Sequence, residues 1–68
     1  MIMKSVISSD IASIGYENEI MHIRFHSGGL YKYSNVPVSL YNALMSAESH
    51  GKYFHAHIRG RYGDTKIG

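Results

Sequence analysis

The segment IASIGYENEIMHIRFHSGGLYKYSNV, residues 11–36, decides the fold because apolar and polar side chains alternate through most of its length. A period of two is typical of strands that bury one face, and β-branched and aromatic residues favour the same conformation. Turn residues interrupt the pattern at ENE and at SGG. The segment therefore predicts an antiparallel meander of three strands, at about residues 10–17, 20–26 and 30–35.

The apolar pattern also predicts how these strands pair, since a slip of one residue moves every side chain to the other face of the sheet. A three-residue loop at residues 27–29 keeps the faces unmixed in the second hairpin. It sets Phe25 opposite Tyr31 and Arg24 opposite Lys32. The pairs expected in the first hairpin are Ala12 with Phe25, Ile14 with Ile23, and Tyr16 with Met21.

One face of this sheet is expected to be apolar and to support helices, and the other to be polar. The polar face carries Arg24 and Lys32, whose like charges repel each other. A phosphate bound between them would make their proximity favourable. The apolar face carries Tyr31 and Tyr33, for which two alternatives stay open. Their rings either pack beneath the helices or form an exposed platform on which a ligand stacks.

The period changes after the third strand, where the sequence predicts two short helices. Pro37 is suited to the first turn of a helix at about residues 37–47. Ser49 is expected to cap a second helix at about residues 49–59, and Gly60 to end it. The fold class is therefore α+β: a three-stranded antiparallel meander with two short helices packed on one face.

The length of the chain predicts one domain over residues 1–68, in which residues 60–68 are expected to form a short basic tail. Four of the seven lysine and arginine residues follow residue 51, whereas one of the five carboxylates does. Such a bias favours an anionic partner such as nucleic acid, although basic tails are also often simply solvated.

Several classes of protein do not fit the composition. The chain has no cysteine, which excludes disulfides and thiolate metal sites. His22 and His26 stand about 13 Å apart if they share a strand, too far to bind one ion. Ser8 and Asp10 are better suited to a turn than to nucleophilic catalysis. We expect no enzyme activity, no metal and no cofactor.

The N-terminal sequence is too polar and too short for a signal peptide or a membrane span. The protein is therefore expected to be soluble and cytoplasmic, with no membrane partner. Nothing in the sequence predicts its oligomeric state.

Three motifs, SSDIASIGY, FHSGGLYKYSNVP and GKYFHAHIRGRY, resemble the KTSC family from about Val6 to Tyr62. The shared features are the double serine, the Ser-Gly-Gly turn, the central Tyr-x-Tyr and the closing His-Ile-Arg-Gly-Arg-Tyr. The sequence departs from the family after Tyr62, where Gly63 and Asp64 replace an expected proline-aromatic ending. The resemblance implies a small domain that occurs alone or at the C-terminus of some lysyl-tRNA synthetases, with no catalytic activity attached and with RNA binding suggested.

These observations give two functional hypotheses. The first is a non-catalytic module that binds RNA or other nucleic acid through cations and aromatic rings. The second is a protein-interaction module that docks on a larger enzyme or host protein through open edges of the first and third predicted strands. The nucleic-acid contacts predicted are Arg24, Lys32, Lys52, Arg59, Arg61 and Tyr62, with Tyr31, Tyr33 and Tyr53 as possible stacking rings.

Overall fold

Five antiparallel strands and two helices form the fold, which confirms the predicted α+β class. The computed structural model describes residues 1–68. Each strand pairs with the next in the order β1-β2-β3-β4-β5, and the helices lie in the connection between β4 and β5. In chain order the elements are β1 (Met3–Ser5), β2 (Ile11–Glu17), β3 (Ile20–Phe25), β4 (Leu30–Tyr33), α1 (Val38–Ser46), α2 (His50–His57) and β5 (Asp64–Lys66).

The predicted meander corresponds to β2, β3 and β4, and two further strands extend it. β1 and β5 have three residues each and are almost wholly exposed. They join the sheet through backbone hydrogen bonds and bury little side-chain area, so no hydrophobic period marks them in the sequence. The prediction of a tail over residues 60–68 was therefore wrong for Asp64–Lys66, and the edges of β2 and β4 are covered rather than open.

The first hairpin confirms two of its three predicted pairs, Ile14 with Ile23 and Tyr16 with Met21. Its two-residue turn places Asn18 and Glu19 at positive φ, as a type I′ turn requires. A bulge between residues 11 and 13 corrects the third pair, because Ile11 lies opposite Phe25 and fills the core position expected for Ala12.

The second hairpin has a loop of the predicted length, but the loop begins one residue earlier. The Phe25 amide donates to the Gly29 carbonyl at 2.9 Å, which leaves residues 26–28 as the loop, with Gly28 at φ +109°. Every pair is thereby shifted by two residues, which preserves both faces. Arg24 lies opposite Leu30 and Lys32 opposite His22, so the predicted Arg24–Lys32 pair was wrong.

Both helices cover the sheet face that was predicted to be apolar. Phe54 of α2 makes edge-to-face contacts with Phe25 and Tyr33, with ring centroids 5.4 and 5.5 Å apart. All nine large side chains of the core are hydrophobic: Ile11, Ile14, Met21, Ile23, Tyr33, Val36, Leu44, Phe54 and Ile58.

The helix ends follow the predicted signals to within two residues. Pro37 stands just before α1 as its N-cap, one position earlier than expected. The Ser49 hydroxyl accepts a hydrogen bond from the Lys52 amide at 3.2 Å, which confirms it as the cap of α2. Gly60 has φ +76° and turns the chain away after α2. Neither helix has the length and apolar content needed to cross a membrane.

We expect Phe54→Ala to lower the free energy of unfolding by about 3–5 kcal/mol, because it removes a buried ring and leaves a cavity beneath α2. That is a large part of the stability of a domain this small. Urea denaturation measures the change. Lys52→Ala, an exposed change on the same helix, is the control and should alter stability by no more than about 0.5 kcal/mol. A small loss in Phe54→Ala would contradict this view of the core.

Candidate nucleic-acid interface

The predicted cations lie on opposite sides of the sheet. Arg24 and Lys32 alternate along β3 and β4 with core side chains, so they lie on the face away from the helices. Arg59 follows α2, on the helix side of the sheet. Lys52 and Arg61 are exposed, on α2 and in the turn after it. The structure therefore does not bring the predicted residues together into one composite site.

The tyrosines of the central motif differ in burial. Tyr33 is a core residue with 4% of its surface exposed, so its ring is not a stacking platform. Tyr31 is partly buried and packs edge to face on Phe25, with centroids 5.6 Å apart. Tyr53 and Tyr62 also pack partly against the core. Of the two alternatives, packing beneath the helices is correct for Tyr33, whereas Tyr31 keeps part of its ring accessible.

A groove of about 330 Å³ runs between α2 and the strands β3, β4 and β5. We call it the α2 groove. Four aromatic rings form its apolar wall, and four polar or charged residues form its rim. The wall consists of Phe25, Tyr31, Tyr33 and Phe54, and the rim of Ser27, His55, Arg59 and Asp64.

A second cation lies next to the rim on β5. Lys66 pairs directly with Tyr31, and residues opposite each other in an antiparallel pair share a face of the sheet. Its Cε atom also lies close to Gly29, against which the Tyr31 ring packs. Lys66 and Arg59 therefore both belong to the helix side of the sheet, where the aromatic wall is.

Hydrogen bonding places the Arg59 side chain beside His55. The Arg59 Nη1 atom lies 3.4 Å from His55 Nδ1, and His55 Nε2 lies 3.5 Å from Asp10 Oδ2. A guanidinium group can only donate, so Nδ1 accepts and we assign the Nε2–H tautomer, which faces the Asp10 carboxylate. Because these groups are exposed, their contacts add little to the stability of the fold. Their main effect is to orient the Arg59 side chain.

The α2 groove continues into a second depression of about 310 Å³ beyond His55. The Ser8 hydroxyl accepts hydrogen bonds from the amides of Asp10 and Ile11, both at 3.2 Å, which confirms the predicted turn chemistry. The depression is lined by Ser9, Asp10, Phe25, His26, Ser27 and His55. Apart from His55 of α2, its polar groups come from the segment before β2 and the loop after β3, which meet at one end of the sheet.

Tyr33 lines the α2 groove, and the pKa of its hydroxyl depends on the neighbouring groups. Burial, and secondly the charge of the Asp64 carboxylate, raise the pKa of Tyr33 to about 12, while Arg59 acts in the opposite direction. The hydroxyl therefore stays protonated at neutral pH and can donate a hydrogen bond into the groove. No group of three or more His, Asp or Glu side chains is placed to hold a metal ion.

Sequence reasoning did not select His55, Asp64 or Lys66 as site residues. His55 and Arg59 are four residues apart in sequence. On a helix this spacing makes two side chains neighbours, so the pair could have been predicted from the sequence. Asp64 and Lys66 were assigned to a tail, and only their pairing with β4 brings them to the groove. The one sequence signal for Asp64 was that it lies just after Tyr62, where the chain departs from the pattern of the family.

The fold and the groove define a small α+β domain with an aromatic groove beside α2. The chain matches the KTSC domain over residues 7–62, and it belongs to that family. A KTSC domain protein from Yersinia pestis, solved by crystallography, superposes with a TM-score of 0.95 at 39% identity, over 98% of this chain and 97% of that one.

Two kinds of relative contain this domain. An uncharacterised protein of Stutzerimonas stutzeri is 43% identical over 49 residues, which is 69% of each chain. A lysine–tRNA ligase of Nostoc is 36% identical over 56 residues, which is 79% of this chain and 10% of the ligase. The family thus includes short proteins as well as a small part of a much longer enzyme.

The raised pKa of Tyr33 predicts a loss of stability in alkali. A group whose pKa is higher in the folded state stabilises fully below its unfolded value, here 10.0, and this contribution is lost as pH rises to about 12. The total is about 2–3 kcal/mol, and about half of it is lost by pH 11, because the folded pKa of about 12 lies above that pH. Urea unfolding of the protein and of Tyr33→Phe, from pH 8 to pH 11, measures the difference. Curves that stay parallel across that range would contradict the assignment.

Proposed function

We propose that this domain is a non-catalytic RNA-binding module that holds single-stranded RNA in the α2 groove. The observation that carries the proposal is that Arg59 lies at the rim of a groove whose wall includes the partly accessible ring of Tyr31. Proteins that bind single strands combine cations for the phosphates with aromatic rings for the bases. The groove has both, within one continuous surface.

The charge distribution supports the helix side over the opposite face. Arg59 and Lys66 accompany tyrosine and phenylalanine rings, whereas on the face of Arg24 and Lys32 the only ring among the pairs of β3 and β4 is the smaller imidazole of His22. Arg24 also lies within 3.5 Å of the Gly28 carbonyl. We therefore assign phosphate contacts to Arg59 and Lys66, and assign Lys52 and Arg61 a longer-range electrostatic role.

Family membership gives the proposal further support. Two of the relatives are lysine–tRNA ligases, enzymes whose name gives tRNA as the substrate, and this chain resembles about 10% of their length. A short domain attached to such an enzyme is well placed to add contacts to RNA. Binding to RNA also agrees with the cytoplasmic location expected from the sequence.

The cation assignment is tested by two matched double variants. Arg59→Ala/Lys66→Ala removes two cations from the groove side, and Arg24→Ala/Lys32→Ala removes two from the opposite face. Fluorescence anisotropy with labelled single-stranded and duplex RNA, at several salt concentrations, measures binding. The groove variant should lose at least about tenfold in affinity, and its salt slope should fall by about 1.4, because each phosphate contact contributes about 0.7.

The control variant should keep most of its affinity and the full salt slope. Equal losses in both variants would show that binding depends on net charge alone, which would remove the groove from the proposal. If the unmodified protein binds no RNA even at low salt, the function is wrong, and the protein-interaction hypothesis takes its place. A docking interface built on apolar contacts would survive high salt, which distinguishes the two classes.

Stacking on Tyr31 is tested separately. Tyr31→Leu keeps an apolar side chain but removes the π face, so affinity for single-stranded RNA should fall by about 1–3 kcal/mol. Tyr53→Leu is the control, because Tyr53 is also partly buried but packs at a tilt against His57 on α2, outside the groove lining. Isothermal titration calorimetry compares the two, and circular dichroism checks that both remain folded. Equal affinity losses would contradict a stacking role for Tyr31.

A further inference from the structure

The α2 groove holds two opposite charges that do not pair with each other. Arg59 and Asp64 both line it, yet they form no salt bridge: the Met1 amine pairs with Glu17, and Asp10 is the carboxylate that faces His55. Asp64 has no hydrogen-bonded side-chain partner, and it stands on β5 directly opposite Tyr33. An exposed carboxylate at the rim of an aromatic groove is an unusual neighbour for a phosphate site, because it repels the backbone of RNA.

A carboxylate in such a groove is suited to reading a base. Its two oxygens only accept hydrogen bonds, and they can accept two parallel bonds from adjacent donors. Unpaired bases held against aromatic rings present their Watson–Crick edges to the protein. The base that matches Asp64 best is therefore the one whose edge offers two neighbouring N–H groups.

Guanine is that base. Its N1–H and exocyclic N2–H groups lie side by side, whereas adenine and cytosine each place a donor next to an acceptor. Uracil has one N–H between two carbonyl oxygens, which a carboxylate repels. The Tyr33 hydroxyl and the Arg59 guanidinium are further donors in the groove, and they suit the O6 and N7 acceptors of guanine or a neighbouring phosphate.

We propose that the α2 groove prefers an unpaired guanine, with the base against Tyr31 and its N1–H and N2–H groups donating to the Asp64 carboxylate. The inference rests on the proposed RNA-binding function and adds base preference to it. Asp64 then selects the base, while Arg59 and Lys66 supply affinity that does not depend on sequence.

The test uses short uridine oligonucleotides with one central guanosine, adenosine, cytidine or uridine. Their affinities for the protein are compared by fluorescence anisotropy at one salt concentration. We expect the guanosine oligonucleotide to bind about tenfold more tightly than the other three. In Asp64→Asn the ratio should fall to near one, because an amide presents one acceptor and one donor in place of two acceptors.

Loss of a negative charge lowers the electrostatic repulsion of every RNA alike, so the ratio between bases, not the affinity, is the decisive quantity. Glu48→Gln makes the same change of charge at an exposed residue between the helices, and its guanosine preference should equal that of the unmodified protein. Equal binding of all four oligonucleotides, or a preference that survives in Asp64→Asn, overturns this inference and leaves the RNA-binding function intact. No binding of any oligonucleotide overturns both.

Discussion

The packing of Phe54 between Phe25 and Tyr33 is the interaction on which the rest of the structure depends. A helix of eight residues is not stable alone in water, so α2 exists because its apolar side chains are buried on the sheet. The same contact fixes where His55 and Arg59 stand, since they follow Phe54 within the next turn and a half. Phe54 and Tyr33 thus belong both to the core and to the wall of the α2 groove, so a substitution at either residue changes stability and the shape of the groove together.

The return of the chain to the sheet after α2 is the second constraint. β5 contributes three exposed residues that bury almost nothing, and backbone pairing with β4 holds them in place. This pairing closes one side of the groove and brings Asp64 and Lys66 into it. A segment with the composition of a solvated tail therefore becomes part of the groove, because the backbone groups of a strand edge can pair with another extended segment whatever its side chains.

The distribution of charge along the sequence differs from its distribution in the folded protein. The sequence concentrates cations after residue 51, yet the fold distributes the predicted set over both faces of the sheet. Alternation on β3 and β4 sends Arg24 and Lys32 away from the helices because their neighbours are needed in the core. Cations that are close in sequence are therefore close in space only where the local backbone conformation places them on the same side.

The sequence by itself determined the α+β class, the three central strands, which face of each strand is buried, the cap at Ser49 and the stop at Gly60. These features rest on periodicity, capping and backbone conformation, which act over a few residues. Only the tertiary structure decided the two-residue shift of the second hairpin, the pairing of β1 and β5, and the meeting of Arg59 with Asp64 and Tyr31. The hydrophobic pattern fixes which face is buried but not the exact pairing, because a shift of two residues buries the same side chains. The groove depends on contacts between segments far apart in the chain, and no local signal records those contacts.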